Sequence, residues 1–227
     1  MRDDAKRRAA ERAVEFVRDN QVVGLGTGST TRFAIEAIGR RVKKGLTIKG
    51  VPTSLGTARL ATELGIPLAD LNDISRIDVC IDGADEIDPR FDMIKGGGGA
   101  LTREKLVALA SDRRVIIVDE PKLVSHLGST HSLPVEVLPF AWTMSARLIS
   151  DLGGNPQLRK ADQSVFVTDN GNYILDCEFG PISDPPSLEK EIKLMPGVVE
   201  CGLFIGIADA LIVAFDDRTE ARERPTR

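Results

Sequence analysis

Lys95, the run Gly96, Gly97, Gly98 and Gly99, and then LTREKLVALASD with its Glu104 confine a cation, a series of backbone amides and a carboxylate to ten residues. Glycines in a row ahead of a helix imply backbone positions that require φ > 0 or very close approach by a ligand. Amides at a helix start bind anions, and Lys95 places a positive charge beside them. A glutamate in the first turns points back over the preceding loop, which makes Glu104 the candidate proton acceptor. Leu101, Leu106 and Leu109 set the expected buried stripe of that helix, with Arg103 and Lys105 on its outer face. A flexible turn is the plain alternative.

Three neighbouring segments weigh against that alternative. GLGTGST supplies Thr27, Gly28, Ser29 and Thr30, but its glycines read GxGxG, with Ser29 where a GxGxxG fingerprint needs glycine, and GxxxxGK[ST] is absent. What survives is a hydroxyl-rich loop opening a helix, suited to a phosphate or to sugar hydroxyls, or simply a tight strand-to-helix turn. DGADEID supplies Asp82, Gly83, Ala84 and Asp85, with Glu86 and Asp88 beyond. It reads as a solvated acidic turn, as a Mg²⁺ site whose spacing does not match an EF-hand, or as a pair of carboxylates for acid–base work, one of them with a raised pKa. Lys122, beyond VIIVD, offers a second cation.

The elements that must position these residues are strands alternating with helices. VVGLG, TIKGV, IDVCI and VIIVD are apolar throughout and are separated by helical patterns in TGSTTRFAIEAIGRRV, SLGTARLATELG and LTREKLVALASD. Such strands predict a parallel sheet covered on both faces. In open α/β sheets ligands bind beyond the carboxyl ends of the strands, and TGST, PTS, DGADEID and Lys122 all follow strand ends. From Leu133 the order changes: LPVEVLP, the helix FAWTMSARLISDLGG, SVFVTDNGNYILDCEF as two strands about an Asn170-Gly171 turn, the helix SLEKEIKLM and the strand GVVECGLFI make βαββαβ, the ferredoxin-like pattern. ALIVAF is one more buried strand that returns to the first sheet, and the polar RTEARERPTR is expected to fray. The fold class is α/β, a Rossmann-like parallel sheet (1–130 plus 205–227) with an inserted ferredoxin-like α+β domain (131–204).

Bulk properties bound the function classes. In 227 residues, 42% hydrophobic and 28% charged content describe an ordinary globular chain, and a net charge of −4 with interspersed signs argues against a nucleic-acid partner. No apolar run approaches a membrane span, and MRDDAKRRAAERAVEFVRDN carries Asp3, Asp4 and Glu11 without a signal-peptide core. It reads as a helix with Ala9, Ala10, Ala13, Val14, Phe16 and Val17 on one face, and a cytoplasmic location is expected. Cys80, Cys177 and Cys201 are odd in number and form no CxxC, and His126 and His131 are the only histidines, so disulfides, a zinc site and a serine–histidine triad have little support.

GLGTGST, PTS, DGADEID, KGGGGALTREK, LPVEVLPF, VTDNGNYILD and PGVVECGLF, in this order and spacing, resemble ribose-5-phosphate isomerase of the A type, from Val23 to Phe204. The resemblance implies interconversion of D-ribose 5-phosphate and D-ribulose 5-phosphate without metal or nucleotide, in a homodimer or homotetramer. It implies Glu104 as the base that moves a proton between C2 and C1, with Lys95 and loop amides offsetting enediolate charge and Asp82 or Asp85 opening the sugar ring. Substrate contacts would come from Thr27, Gly28, Ser29, Thr30, Asp82, Gly83, Ala84, Asp85, Lys95, Gly96, Gly97, Gly98 and Lys122, and Lys6 resembles a family lysine near the phosphate. Pro121 departs from a pattern that has Ser or Thr before the lysine. A sugar-phosphate sensor, a CoA-transferase-like enzyme and a metal-dependent phosphotransferase are the competing classes.

Overall fold

The computed structural model describes residues 2–225. Contacts group the chain up to 84, 103–122 and from 207 into one compact unit, and 85–102 with 123–206 into a second. The sequence pattern drew its boundaries at 130/131 and 204/205, so 85–102 and 123–130 group by contact with the α+β residues.

The first unit is built on β1 (Gln21–Leu25), β2 (Ile48–Pro52), β3 (Ile77–Asp82), β6 (Ser111–Asp119), β14 (Ala210–Ala214) and β15 (Thr219–Glu223), ordered β15-β14-β6-β3-β1-β2. All neighbours are parallel except β15. The apolar runs of β3, β6 and β14 are buried because helices cover both faces. On one face α1 (Arg2–Val14) and α2 (Ser29–Val42) pack Ala5, Ala9, Ala10, Ala13, Ile35 and Ile38 against Val79, Ile81, Val115, Ile117 and Ile212. The helix stops at Val14, so Val17 reaches the same core from the turn beyond it. On the other face, beside α3 (Leu55–Glu63), Val107 of α4 (Leu101–Leu109) packs with Val51, Ile77 and Cys80, the last behaving as a small hydrophobe.

Two expectations fail here. Arg218 to Glu223 do not fray: β15 pairs antiparallel with β14, Ala210 opposite Glu223 and Ala214 opposite Thr219, and its polar residues suit an edge strand. The remaining Thr226 and Arg227 lie outside the described residues. In α4, Leu101 is buried, but Leu106 and Leu109 are 52% and 65% exposed, while Glu104 and Lys105 are buried with Val107 and Ala108.

The second unit holds a four-stranded antiparallel sheet, β12-β7-β11-β8, from β7 (Leu133–Val137), β8 (Asn155–Leu158), β11 (Tyr173–Glu178) and β12 (Val198–Cys201). With α5 (Trp142–Asp151) and α6 (Pro185–Lys193) contributing Ile149 and Ile192 to its core, the order matches the ferredoxin-like pattern. The second strand is Asn155–Leu158 rather than SVFV. Pro156 sits on the edge strand opposite Cys177, where the missing N–H costs little, and that proline hid the strand from a periodicity reading. Ser164–Val165 instead forms β10 of a small ribbon with β9 (Lys160–Ala161). GVVECGLFI likewise breaks at Gly202 into β12 and β13 (Leu203–Phe204), because a Cβ there would stand 2.3 Å from the Lys95 carbonyl oxygen. β13 joins β5 (Met93–Ile94) and β4 (Glu86–Ile87) in a third sheet, ordered β13-β5-β4.

Candidate active site

In the first unit the strand order reverses between β1 and β3, and the loops after these strands flank that switch point, where doubly wound sheets bind ligands. The loop after β1 crosses directly over β3. A Cβ on Gly26 would lie 2.1 Å from Asp82 Oδ1, so only glycine lets the two backbones approach. Asp82, buried at the end of β3, accepts from the Thr27 and Gly83 amides at 3.2 and 2.7 Å. Thr27 Oγ1 joins Thr53, Ser54 and Thr57 in a hydroxyl cluster at 2.7, 2.9 and 3.1 Å, so its side chain fixes the loop.

Ser29 opens α2 behind Gly28, which has φ 137° and supplies no side-chain cap. No side chain caps the first-turn amides of α2, an arrangement that suits an anion. Lys6 Nζ lies 3.1 Å from Ser29 Oγ, bringing the α1 lysine to that terminus. Thr30 is buried, and the buried Oγ1 of Thr31 has no hydrogen-bond partner among the described residues and stands 3.5 Å from where a Gly83 Cβ would be. Sequence reasoning stopped at Thr30; the doubled threonine of GSTT was the signal for Thr31. Glu104 is buried in the first turn of α4. Lys122 ends a short 3-10 turn, Glu120–Lys122, whose middle residue is Pro121.

In the second unit β4 and β5 carry Asp85 ahead of one strand and Lys95 behind the other. The Asp85 amide donates to Ile94 O at 2.8 Å and the Lys95 amide to Gly202 O at 2.9 Å. Lys95 is buried, its ammonium 5.4 Å from the Phe204 ring centroid. Gly97 N–H donates to Asp85 Oδ2 at 2.7 Å, tying the acidic motif to the glycine run. Gly96 and Gly99 have φ 111° and 79°, as the run of glycines predicts, and Gly97 and Gly98 are exposed.

DGADEID thus divides by role. Glu86, fully buried, accepts from the Gly128, Thr130 and His131 amides and from the Thr130 hydroxyl, and Asp88 accepts from the Arg90 and Asp92 amides. These two carboxylates build loops. Among the described residues one acidic group, Glu189, Glu200 and Cys201, places ligand atoms within 4.8 Å of one another, and Lys193 already pairs with Glu200 at 2.5 Å. Burial pushes the Cys177 thiol up, helped by Asp176 and Cys201, so it stays protonated.

A doubly wound sheet whose switch point carries an uncapped helix N-terminus, a lysine and a buried aspartate defines an α/β enzyme for a small anionic substrate. The family model for ribose 5-phosphate isomerase A (phosphoriboisomerase A) matches residues 49–218. The ribose-5-phosphate isomerase A of Gloeobacter violaceus is 54% identical over 213 residues, 93% of each chain. Among solved structures, the ribose 5-phosphate isomerase A of Methanocaldococcus jannaschii superposes with a TM-score of 0.93 at 40% identity, covering 98% of this chain and 100% of that one. A D-ribose-5-phosphate isomerase in complex with phospho-erythronic acid gives 0.94 at 41%, covering 97% and 98%. The chain belongs to the ribose 5-phosphate isomerase A family.

Proposed function

We propose that the protein interconverts D-ribose 5-phosphate and D-ribulose 5-phosphate through an enediolate. The observation that carries this reading is the open α2 N-terminus with Lys6 beside Ser29, a phosphate seat at the switch point next to buried Asp82. With the phosphate at Ser29, Thr30 and Lys6, and Lys122 adding charge at the same strand edge, Asp82 or Asp85 gives a proton to the ring oxygen as the C1–O bond breaks and takes up the proton of the O1 hydroxyl, which becomes the C1 carbonyl. Glu104 then takes the C2 proton and returns it to C1, base first and acid second. A proton moves from O2 to O1 through an aspartate, and Lys95 with the amides of Gly96, Gly97 and Gly98 offsets the oxyanion charge. Phospho-erythronic acid, found on the related isomerase, supports the reading, since its carboxylate resembles the enediolate oxygens.

Glu104→Gln tests it by keeping shape and removing the base. The expected result is a fall in kcat of roughly 10²–10⁴-fold with KM little changed; near-normal turnover would take the proton from Glu104. Among the described residues no helix is long and apolar enough to cross a membrane. We infer a cytoplasmic homodimer or homotetramer, a reading supported by the exposed Leu138, Phe140 and Met144.

A further inference from the structure

Arg159, just after β8, carries no motif that marks it in the sequence, yet its guanidinium is committed on three sides. Nε and Nη2 form a fork on the Asp176 carboxylate at 2.9 and 2.5 Å, the cation stands 5.7 Å from the Phe166 ring centroid, and the side chain is only 14% exposed. The remaining nitrogen, Nη1, donates to Gly96 O at 2.9 Å and Gly97 O at 3.1 Å. The aromatic that backs the guanidinium also lies under the loop, since a Cβ on Gly99 would meet Phe166 Cζ at 2.3 Å.

In a trans peptide the C=O and the next N–H point in opposite directions. Drawing two successive carbonyls to one guanidinium therefore turns the Gly97 and Gly98 amides away from Arg159. The first is seen doing this, donating to Asp85 Oδ2 at 2.7 Å. The second follows the same constraint at an exposed residue. Glycines leave the loop many conformations; the bidentate clamp selects one.

We propose that Arg159 is a positioning residue for the isomerisation: it locks the Gly96-Gly97 and Gly97-Gly98 peptide planes so that the Gly98 amide meets the oxygen on which enediolate charge develops. Its charge, placed on the carbonyl side of the same peptides, polarises those amides and strengthens them as donors. Asp176 holds the fork, and Phe166 sets its height. The inference rests on the reading of Lys95 to Gly98 as part of the substrate site. Lysine cannot do the same work, because a point charge lacks the planar fork that grips Asp176 and both carbonyls together.

The test compares the full-length wild type with Arg159→Lys, Arg159→Ala and Lys95→Ala in ribose 5-phosphate turnover, with melting temperatures measured alongside. Arg159→Ala is expected to lose roughly 10–100-fold in kcat and Arg159→Lys roughly tenfold, with KM changing by less than about threefold. Added guanidinium ion should restore part of the Arg159→Ala rate, which mere destabilisation would not allow. Should Arg159→Ala fail to fold, Arg159→Lys alone decides. Wild-type kcat in the folded Arg159 variants, or a loss confined to KM, overturns the proposal when Lys95→Ala is inactive. Full activity in Lys95→Ala instead overturns the site reading beneath it.

Discussion

Glu86 and Glu136 are both fully buried carboxylates, and the identity of their donors decides how each tolerates losing its charge. Oε1 of Glu136 accepts from Thr168 Oγ1 and the Asn170 and Asn172 side-chain amides, while Oε2, among the described residues, accepts from the Thr102 hydroxyl. Glutamine can keep its oxygen toward the first three and give its amide to Thr102, whose hydroxyl turns to accept. Backbone N–H groups cannot turn. Gly128 N–H faces Oε2 of Glu86 and the Thr130 and His131 amides face Oε1, so Glu86→Gln must set a donor against a donor. Denaturant melts should show Glu86→Gln costing about 1–3 kcal/mol and Glu136→Gln less than about 1 kcal/mol. Equal losses would mean that charge, rather than donor geometry, governs these sites. The sequence of DGADEID marks Asp82 and Asp85 as candidates and leaves Glu86 and Asp88 without a role, and the partners of those two give them one as scaffold. Those partners lie some forty residues away for Glu86, which no local motif announces.

At the scale of elements, α4 was legible as a helix and illegible as a face. Its three leucines suggested one stripe, yet the buried side carries Glu104 and Lys105 along with Leu101, Val107 and Ala108. Periodicity assumes that burial follows hydrophobicity, and a helix that buries charged groups such as Glu104 and Lys105 breaks that assumption. The tetraglycine was legible as a backbone device, and the structure adds what it leans on. Gly99 combines φ 79° with the Phe166 ring 2.3 Å from a would-be Cβ, so Gly99→Ala meets both strain and overlap. The variant should lose more than about 1 kcal/mol of stability and roughly tenfold or more in kcat. Truncating the ring in Gly99→Ala/Phe166→Ala removes the overlap and leaves the strain, so stability should recover in part; strictly additive losses in the double variant would show that the ring is not the obstacle.

For the whole molecule, the covered parallel sheet, the βαββαβ order of the α+β residues and the strand ends that carry the loops followed from the alternation of apolar strands and helices, whereas the strand order β15-β14-β6-β3-β1-β2 did not. What escaped were features set by distant chain: the break at Gly202, the edge strand containing Pro156 and the ordered β15. Surface chemistry carries the last expectation. Phe140 is 90% exposed, with Leu138 and Met144 on the same stretch leading into α5, and the Leu138 amide is bonded to Gly197 O, three residues beyond the exposed Leu194. Scattered exposed apolar residues need no explanation, but this grouping is the kind a soluble chain covers with another protein surface. If copies of the chain cover it, sedimentation should give two or four times 24.6 kDa, and Phe140→Glu should shift the mass toward the monomer. A carboxylate forced into an apolar contact has no partner there, so the dissociation constant should rise by roughly tenfold to a hundredfold, about 1.4–2.8 kcal/mol. An unchanged mass in Phe140→Glu and in Met144→Glu would place the subunit contact on another face, whereas a fully folded monomer with normal melting behaviour would show that this stretch joins the copies without holding either one together.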